Sequence, residues 1–366
     1  MKSRYERLRF LLVFTTAHLG SLQCRQQLFP TRIRDIEMKK LLLFVTALCL
    51  SSLSFAQVMV ATLQHGDSLR VFYYADAFVD AYNAAVPGDV ISLSAGSFTP
   101  CNIDKDSLTI RGAGIDKTFV EGLLLGAAIN SPIRTFTMEG INGSYCNLYR
   151  NMEVHFRNVK FGSGYSDANN NRSTGEFINC IISGFHPNST STLTLINSII
   201  ISVTQNSKSS FINCIVEGNI FAHLTNTSFI NSILVYYHSY HDGYSALPQT
   251  ALAQNCVGVK NSSSYLQSIF DQCVNQNSVL APTSIFPNFS MDNLNPERYI
   301  LSDSAQAQYL GNDSTQVGLY GGFMPYKSTL TYPVISRLNV ARQTTADGRL
   351  SVDIQVGYRQ ESEDNE

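Results

Sequence analysis

Apolar residues follow two spacings along the chain. Between Asp76 and Asp89, Phe78, Tyr82 and Ala85 fall on one face at helical spacing, Asp76 stands where it can cap the first turn, and Pro87-Gly88-Asp89 ends the run. A short helix is predicted there. Val90 to Leu93 then reads as a strand, with a break at Ala95-Gly96. Beyond it, short β-rich segments recur, each closing on Gly or Asn: Leu108 to Gly112, Phe136 to Gly140, Val154 to Asn158, Phe177 to Asn179, Leu193 to Asn197, Phe211 to Asn213, Phe229 to Asn231 and Ala253 to Asn255.

Aligned on that Gly or Asn, the segments are spaced 28, 18, 21, 18, 16, 18 and 24 residues apart, and periods near 20 mean a solenoid. A leucine-rich repeat would place its Asn three residues after the last Leu and would alternate strands with helical stretches. Here the Asn follows the apolar residue by two, and the connecting segments are rich in Ser, Asn and Gly. An all-β parallel β-helix fits better. Its strands stack coil on coil at about 4.8 Å, and Asn158, Asn179, Asn197, Asn213, Asn231 and Asn255 are expected to form a structural ladder of side-chain amides. Phe156, Phe177, Leu195, Phe211, Phe229 and Ala253, two residues earlier, are the expected interior column. Ile178, Ile196, Ile212 and Ile230 form an apolar stripe beside it that needs a cover or serves as a contact surface.

The N-terminal region changes the composition. Lys39-Lys40, the apolar run Leu41 to Leu50 and Ser54-Phe55-Ala56 have the order of a secretory signal peptide, so 38–56 is read as a leader and 1–37 as an upstream extension outside the fold. The apolar run is too short to span a bilayer. Counting from Gln57 leaves 17 Lys/Arg against 25 Asp/Glu, a charge of about −8 instead of the −2 of the whole chain. No basic cluster then remains to neutralise a phosphate backbone, which argues against nucleic acid as a partner. The remaining cysteines have no zinc-ligand spacing. Cys180, Cys214 and Cys256 each follow a ladder Asn, with Ser198 and Ser232 at that position between them. They fall two coils apart, too far for a disulfide.

The stretch Asp76 to Phe98, followed by Leu108-Thr-Ile-Arg-Gly-Ala-Gly114, resembles the entry to right-handed parallel β-helix proteins of the pectate-lyase-like superfamily. Tyr299 to Ala305 and Val317 to Tyr326 are similar to the final coils of secreted β-helix proteins of Bacteroides-group bacteria. The resemblance covers roughly 69–326 and implies a right-handed solenoid over 57–330 with a short N-terminal helix cap. After Tyr332-Pro333, Val334 to Val340 and Leu350 to Val356 read as a C-terminal β-hairpin, and Glu361 to Glu366 as an acidic tail, within a terminal segment 331–366.

Chemistry is sparse. The hydrolases of that superfamily resemble one another in Asn-Thr-Asp, Asp-Asp, Gly-His-Gly and Arg-Ile-Lys motifs, none of which occurs here. A two-carboxylate glycosidase holds its acids about 5 to 9 Å apart, and neighbouring coils offer only Glu139 with Glu153 or Glu176 with Glu217. Arg150 and Arg157 are lyase bases by residue type alone, and local pairing with Glu153 accounts for them as well. Asp104 and Asp106 suggest a weak calcium site, for which solvated turn acids are the simpler reading. The densest polar aromatic patch is Tyr236, Tyr237, His238, Tyr240, His241, Asp242 and Tyr244, read as a sugar-stacking platform, as a weak metal site through His238, His241 and Asp242, or, more simply, as a cover over the solenoid flank. No catalytic or metal-ligating set emerges, and no cofactor is implied. The expectation is a secreted or cell-envelope β-helix protein, without a transmembrane span, that presents a flank to a polysaccharide or an envelope protein. The alternatives are a polysaccharide lyase or glycoside hydrolase with an atypical site, and an adhesin-like stalk.

Overall fold

The computed structural model describes residues 59–357, apart from 129, 168–170, 204–207, 219–223, 225, 237–246, 248–249, 261–280, 291–294, 328–333 and 341–351. Two compact units divide the chain, Met1–Gln57 and Val58–Glu366, and every described residue belongs to the second. The expected leader and upstream extension therefore lie outside the described residues.

That second unit is an all-β parallel β-solenoid, matching a right-handed parallel β-helix. One sheet runs from the antiparallel pair Ser68–Tyr73 and Val60–His65 through Val90–Leu93 and then strand after parallel strand to Leu252–Gln254. The second sheet stacks in the same coil order, from Gly96–Phe98 to Val257–Lys260. Helix Ala77–Ala84 buries Ala77, Phe78 and Ala81 in the core that the sheets share. Asp76 does not cap this helix with its side chain; its carboxylate accepts instead from the Thr99 hydroxyl at 2.9 Å. The far end is satisfied by Lys105, whose Nζ donates to the carbonyls of Tyr82 at 2.5 Å and Ala85 at 2.7 Å.

The repeat alignment fixes the register. Phe156 pairs with Phe177, Phe177 with Leu195, Leu195 with Phe211, Phe211 with Phe229 and Phe229 with Ala253. All six are buried, and Phe185 of the second sheet joins the stack 5.9 Å from Phe177 and 6.0 Å from Phe211. Edge-to-face and offset contacts of this kind add about 0.5–1.5 kcal/mol per pair beyond area burial.

The Asn column has a different cause from the one expected. All six Asn adopt left-handed backbone, with φ between 45 and 56°. Gly140 holds the same position one coil earlier, at φ 65°. Asn tolerates that region better than other side-chain-bearing residues because its short amide bonds locally. The bend is carried by backbone hydrogen bonds, such as Asn179 N–H to Ile196 O and Asn197 N–H to Ile212 O, both at 3.0 Å. The side chains do not form a ladder: Asn158 Oδ1 and Asn179 Oδ1 have no hydrogen-bond partner, while Asn197 and Asn231 reach out of the column altogether.

The partner of Asn197 and Asn231 is a C-terminal strap, the described residues of 281–326, with helical turns at Pro282–Ile285, Pro296–Tyr299 and Asp303–Gln308. These residues do not form final coils. They lie on the flank of the second sheet, where Ile285, Phe286, Tyr299, Leu301, Val317 and Leu319 cover the outward column Ile181, Ile199, Ile215, Ile233 and Val257. Asn197 Nδ2 donates to Leu319 O at 2.8 Å and Gly321 O at 2.7 Å, and Asn231 exchanges two bonds with Asn312 at 2.8 and 3.0 Å. Beneath the strap, Glu217 is buried against Arg298, whose Nη2 donates to Glu217 Oε1 at 2.6 Å, and Tyr299 donates to the same oxygen. The strands Val334–Val340 and Val352–Gly357 pair antiparallel.

Candidate functional site

The outward residues of the first sheet form a face of two adjoining columns. In one, Arg111 pairs in register with Glu139, Glu139 with Arg157 and Arg157 with Ile178, after which the column continues as Ile196, Ile212 and Ile230. In the other, Thr109, Thr137, His155, Glu176, Thr194, Ser210 and Ser228 follow one another across the coils. The alternation Met152-Glu-Val-His-Phe-Arg157 produces this arrangement, since Met152, Val154 and Phe156 turn into the core and put Glu153, His155 and Arg157 outside.

The charges on this face are paired. Arg111 Nε lies 3.1 Å from Glu139 Oε2, and Arg157 Nη2 lies 3.1 Å from Glu176 Oε1. His155 sits between two carboxylates, with Nε2 3.4 Å from Glu153 and Nδ1 3.7 Å from Glu176. Both arginine side chains stay about half exposed, at 48% and 49%, so each keeps N–H donors facing solvent. Further along, Ser228 donates to Ser210 at 2.8 Å, and Ile178 is buried while Ile196, Ile212 and Ile230 are half-buried. The expected isoleucine stripe thus borders the hydroxyl column.

Two carboxylate pairings expected from the sequence do not form. Glu139 faces Arg157 while Glu153 faces Thr135, so those two acids stand at opposite ends of their strands. Glu176 belongs to the first-sheet face, whereas Glu217 lies on the second sheet under the strap. Arg157 takes Glu176 in place of Glu153. Arg150 donates to Ala128 O at 2.8 Å, a loop contact away from the charged columns. The residues missed were Arg111 and His155, whose signal was the strand alternation rather than any motif.

Asp104 and Asp106 are occupied by backbone. Asp104 Oδ1 accepts from Ala128 N–H at 2.9 Å, and Asp106 Oδ1 accepts from the N–H groups of Arg134 and Thr135 at 2.7 and 2.9 Å. Partial burial pushes the Asp106 pKa up, but the N–H groups of Arg134, Thr135 and Ser107 outweigh it and hold the carboxyl below its ordinary value. These contacts give both acids a role in joining coils. Tyr236 ends the strand Ile233–Tyr236, and Tyr237, His238, Tyr240, His241, Asp242 and Tyr244 lie outside the described residues. Among the described residues, no three His, Cys, Asp or Glu side chains gather as a metal site.

Cys180, Cys214 and Cys256 are free thiols. Each donates from Sγ to the carbonyl two residues before it and to one in the preceding coil, for Cys214 Ile212 O and Leu195 O at 3.3 Å. Ser198 and Ser232 make the same pair of contacts in the alternate coils. Burial pushes all three thiols up to about 12, which leaves them without thiolate character at neutral pH. No helix among the described residues is long and apolar enough to cross a membrane. No family model matches the sequence, and comparison with curated proteins and with solved structures returns no match.

Proposed function

We propose that this is an exported, non-catalytic binding protein that presents the outer face of the first sheet to a polysaccharide at the cell envelope. The observation that carries the reading is the pairing of Arg111 with Glu139 and of Arg157 with Glu176 on an accessible face lined by Thr and Ser hydroxyls. A vicinal diol offers a donor and an acceptor side by side, which the half-exposed guanidinium groups and the Glu176 carboxylate complement. The leader-like order at 38–56 supports export, and the resemblance of Asp76 to Gly114 to the pectate-lyase-like superfamily supports a glycan as the ligand class.

A second reading, a lyase or hydrolase with an atypical site, is favoured by one observation: the His155 imidazole between Glu153 and Glu176. Proton transfer needs such a group within reach of substrate. The test is affinity electrophoresis of the chain from Gln57 in gels holding neutral or acidic polysaccharides, with product assays for unsaturated and reducing ends. Retardation that Arg157→Ala and Glu176→Ala weaken, with no new ends, supports binding. New ends that disappear with His155→Ala would establish the enzyme, and absence of retardation in every gel would reject the glycan reading.

A further inference from the structure

The second sheet carries an aromatic ring beside an uncharged polar row. Tyr145 stands in register with Gly122 on one neighbouring strand and Gly164 on the other. A Cβ on Gly122 would lie 2.5 Å from Tyr145 Cζ, 2.7 Å from Cε1 and 2.8 Å from the phenol oxygen. The phenol end of Tyr145 therefore leans close over the backbone of Gly122, and a side chain at Gly122 would displace it. Tyr145 is 38% exposed.

Two residues further along the strand, about 7 Å away, Asn147 is in register with Ser166, and Ser166 with His186. Ser166 Oγ donates to Asn147 Oδ1 at 2.7 Å, which leaves the amide nitrogen of Asn147 as a donor and the hydroxyl oxygen as an acceptor. Partial burial lowers the His186 pKa, so its imidazole is neutral at pH 7. The row thus combines donors and acceptors without a formal charge.

We propose that Tyr145, Asn147, Ser166 and His186 form a binding site for a single pyranose residue. The C–H face of the sugar stacks on the Tyr145 ring, and its equatorial hydroxyls bond to the Asn147 amide and the Ser166 hydroxyl, with His186 bordering the site. An anionic ligand would find no counter-charge among these four residues. A purely apolar ligand would desolvate Asn147 and Ser166 without replacing their hydrogen bonds, a cost of about 1–3 kcal/mol for each buried group. A sugar with an apolar face and a polar rim avoids both penalties. The site is separate from the first-sheet face and does not depend on the function proposed for it.

Saturation-transfer NMR of the full chain with methyl β-D-glucopyranoside, methyl β-D-galactopyranoside or methyl α-D-mannopyranoside tests the site. Transfer to the ring C–H protons of at least one of them is expected. Tyr145→Ala should weaken it about tenfold or more, while Tyr145→Phe retains it, since an aromatic contact of about 1.4 kcal/mol is a factor of ten. Asn147→Ala should weaken it severalfold, and Gly122→Ala, which lifts the ring, should do the same. Arg70→Ala, on the N-terminal hairpin, should leave it unchanged. Circular dichroism confirms that each variant remains folded. No transfer from any of the three glycosides at 10 mM or so, or transfer that survives both Tyr145→Ala and Asn147→Ala, would overturn the proposal.

Discussion

Removing Arg298 isolates a charge inside the protein. Glu217 and Arg298 are 2% and 3% exposed, and Arg298 Nη2 donates to Glu217 Oε1 at 2.6 Å while its Nη1 donates to Ser290 O at 2.8 Å. The guanidinium also lies 4.5 Å from the centre of the Tyr299 ring and 5.7 Å from that of Phe289. Burial, followed by the charge of Glu217, pushes the Tyr299 phenol far above its ordinary value, so it stays a neutral donor at any working pH. In Arg298→Ala that phenol is left as a direct partner of a carboxylate still under the strap. Truncating one member of a buried ion pair costs about 3–5 kcal/mol, a large share of a typical folding free energy of about 5–15 kcal/mol. Replacing both members with apolar residues of similar length, Glu217→Leu with Arg298→Met, should recover most of that loss, because the strap interface around them is already built from Ile, Val, Leu and aromatic side chains. Urea denaturation followed by circular dichroism measures both. A single Arg298→Ala change costing under about 1 kcal/mol, or a double variant no better than the single one, would mean that the strap does not hold the ion pair dry.

Three further outcomes follow from the same contacts. Asn179→Gly should alter stability by no more than a few tenths of a kcal/mol, whereas Asn179→Val should cost about 1–2 kcal/mol, because the position needs a left-handed backbone and its amide oxygen has no partner to lose; thermal melts of the pair measure the difference. Cys180, Cys214 and Cys256 should resist iodoacetamide in the native protein at pH 7.5 and react fully in urea, as peptide mass mapping would show. Asp106 has a depressed folded pKa, so its contribution is fully present above the unfolded Asp value of about 3.9 and is lost as pH falls through the folded one. Asp106→Asn should therefore lower stability at pH 6 and flatten its fall below about pH 4, seen in melts across that range.

The coil register was legible because one short unit recurs: an inward Phe or Leu, an outward Ile, a left-handed Asn and a Cys or Ser. Side-chain alternation and the demand for φ above zero at one position fix that unit from local chemistry. The cover over the second sheet was not legible, because Ile181, Ile199, Ile215 and Ile233 read as interior strand residues whether a sheet or a strap lies against them. Nothing in 281–326 has a periodicity that would pair it with a flank reached from far away in sequence. The roles of the acids failed for a related reason. Glu139, Glu153, Glu176 and Glu217 are alike in sequence, yet an arginine in the next coil, a histidine on the same strand and a strap residue about eighty positions away give them different partners. The strap also changes what each flank can do. Its apolar residues occupy the second sheet from Ile181 onward, while Tyr145 and Asn147 lie in an earlier coil and remain accessible. Among the described residues, the second sheet thus keeps Tyr145 exposed in a coil that precedes the covered column, with the Gly122 backbone close to its phenol.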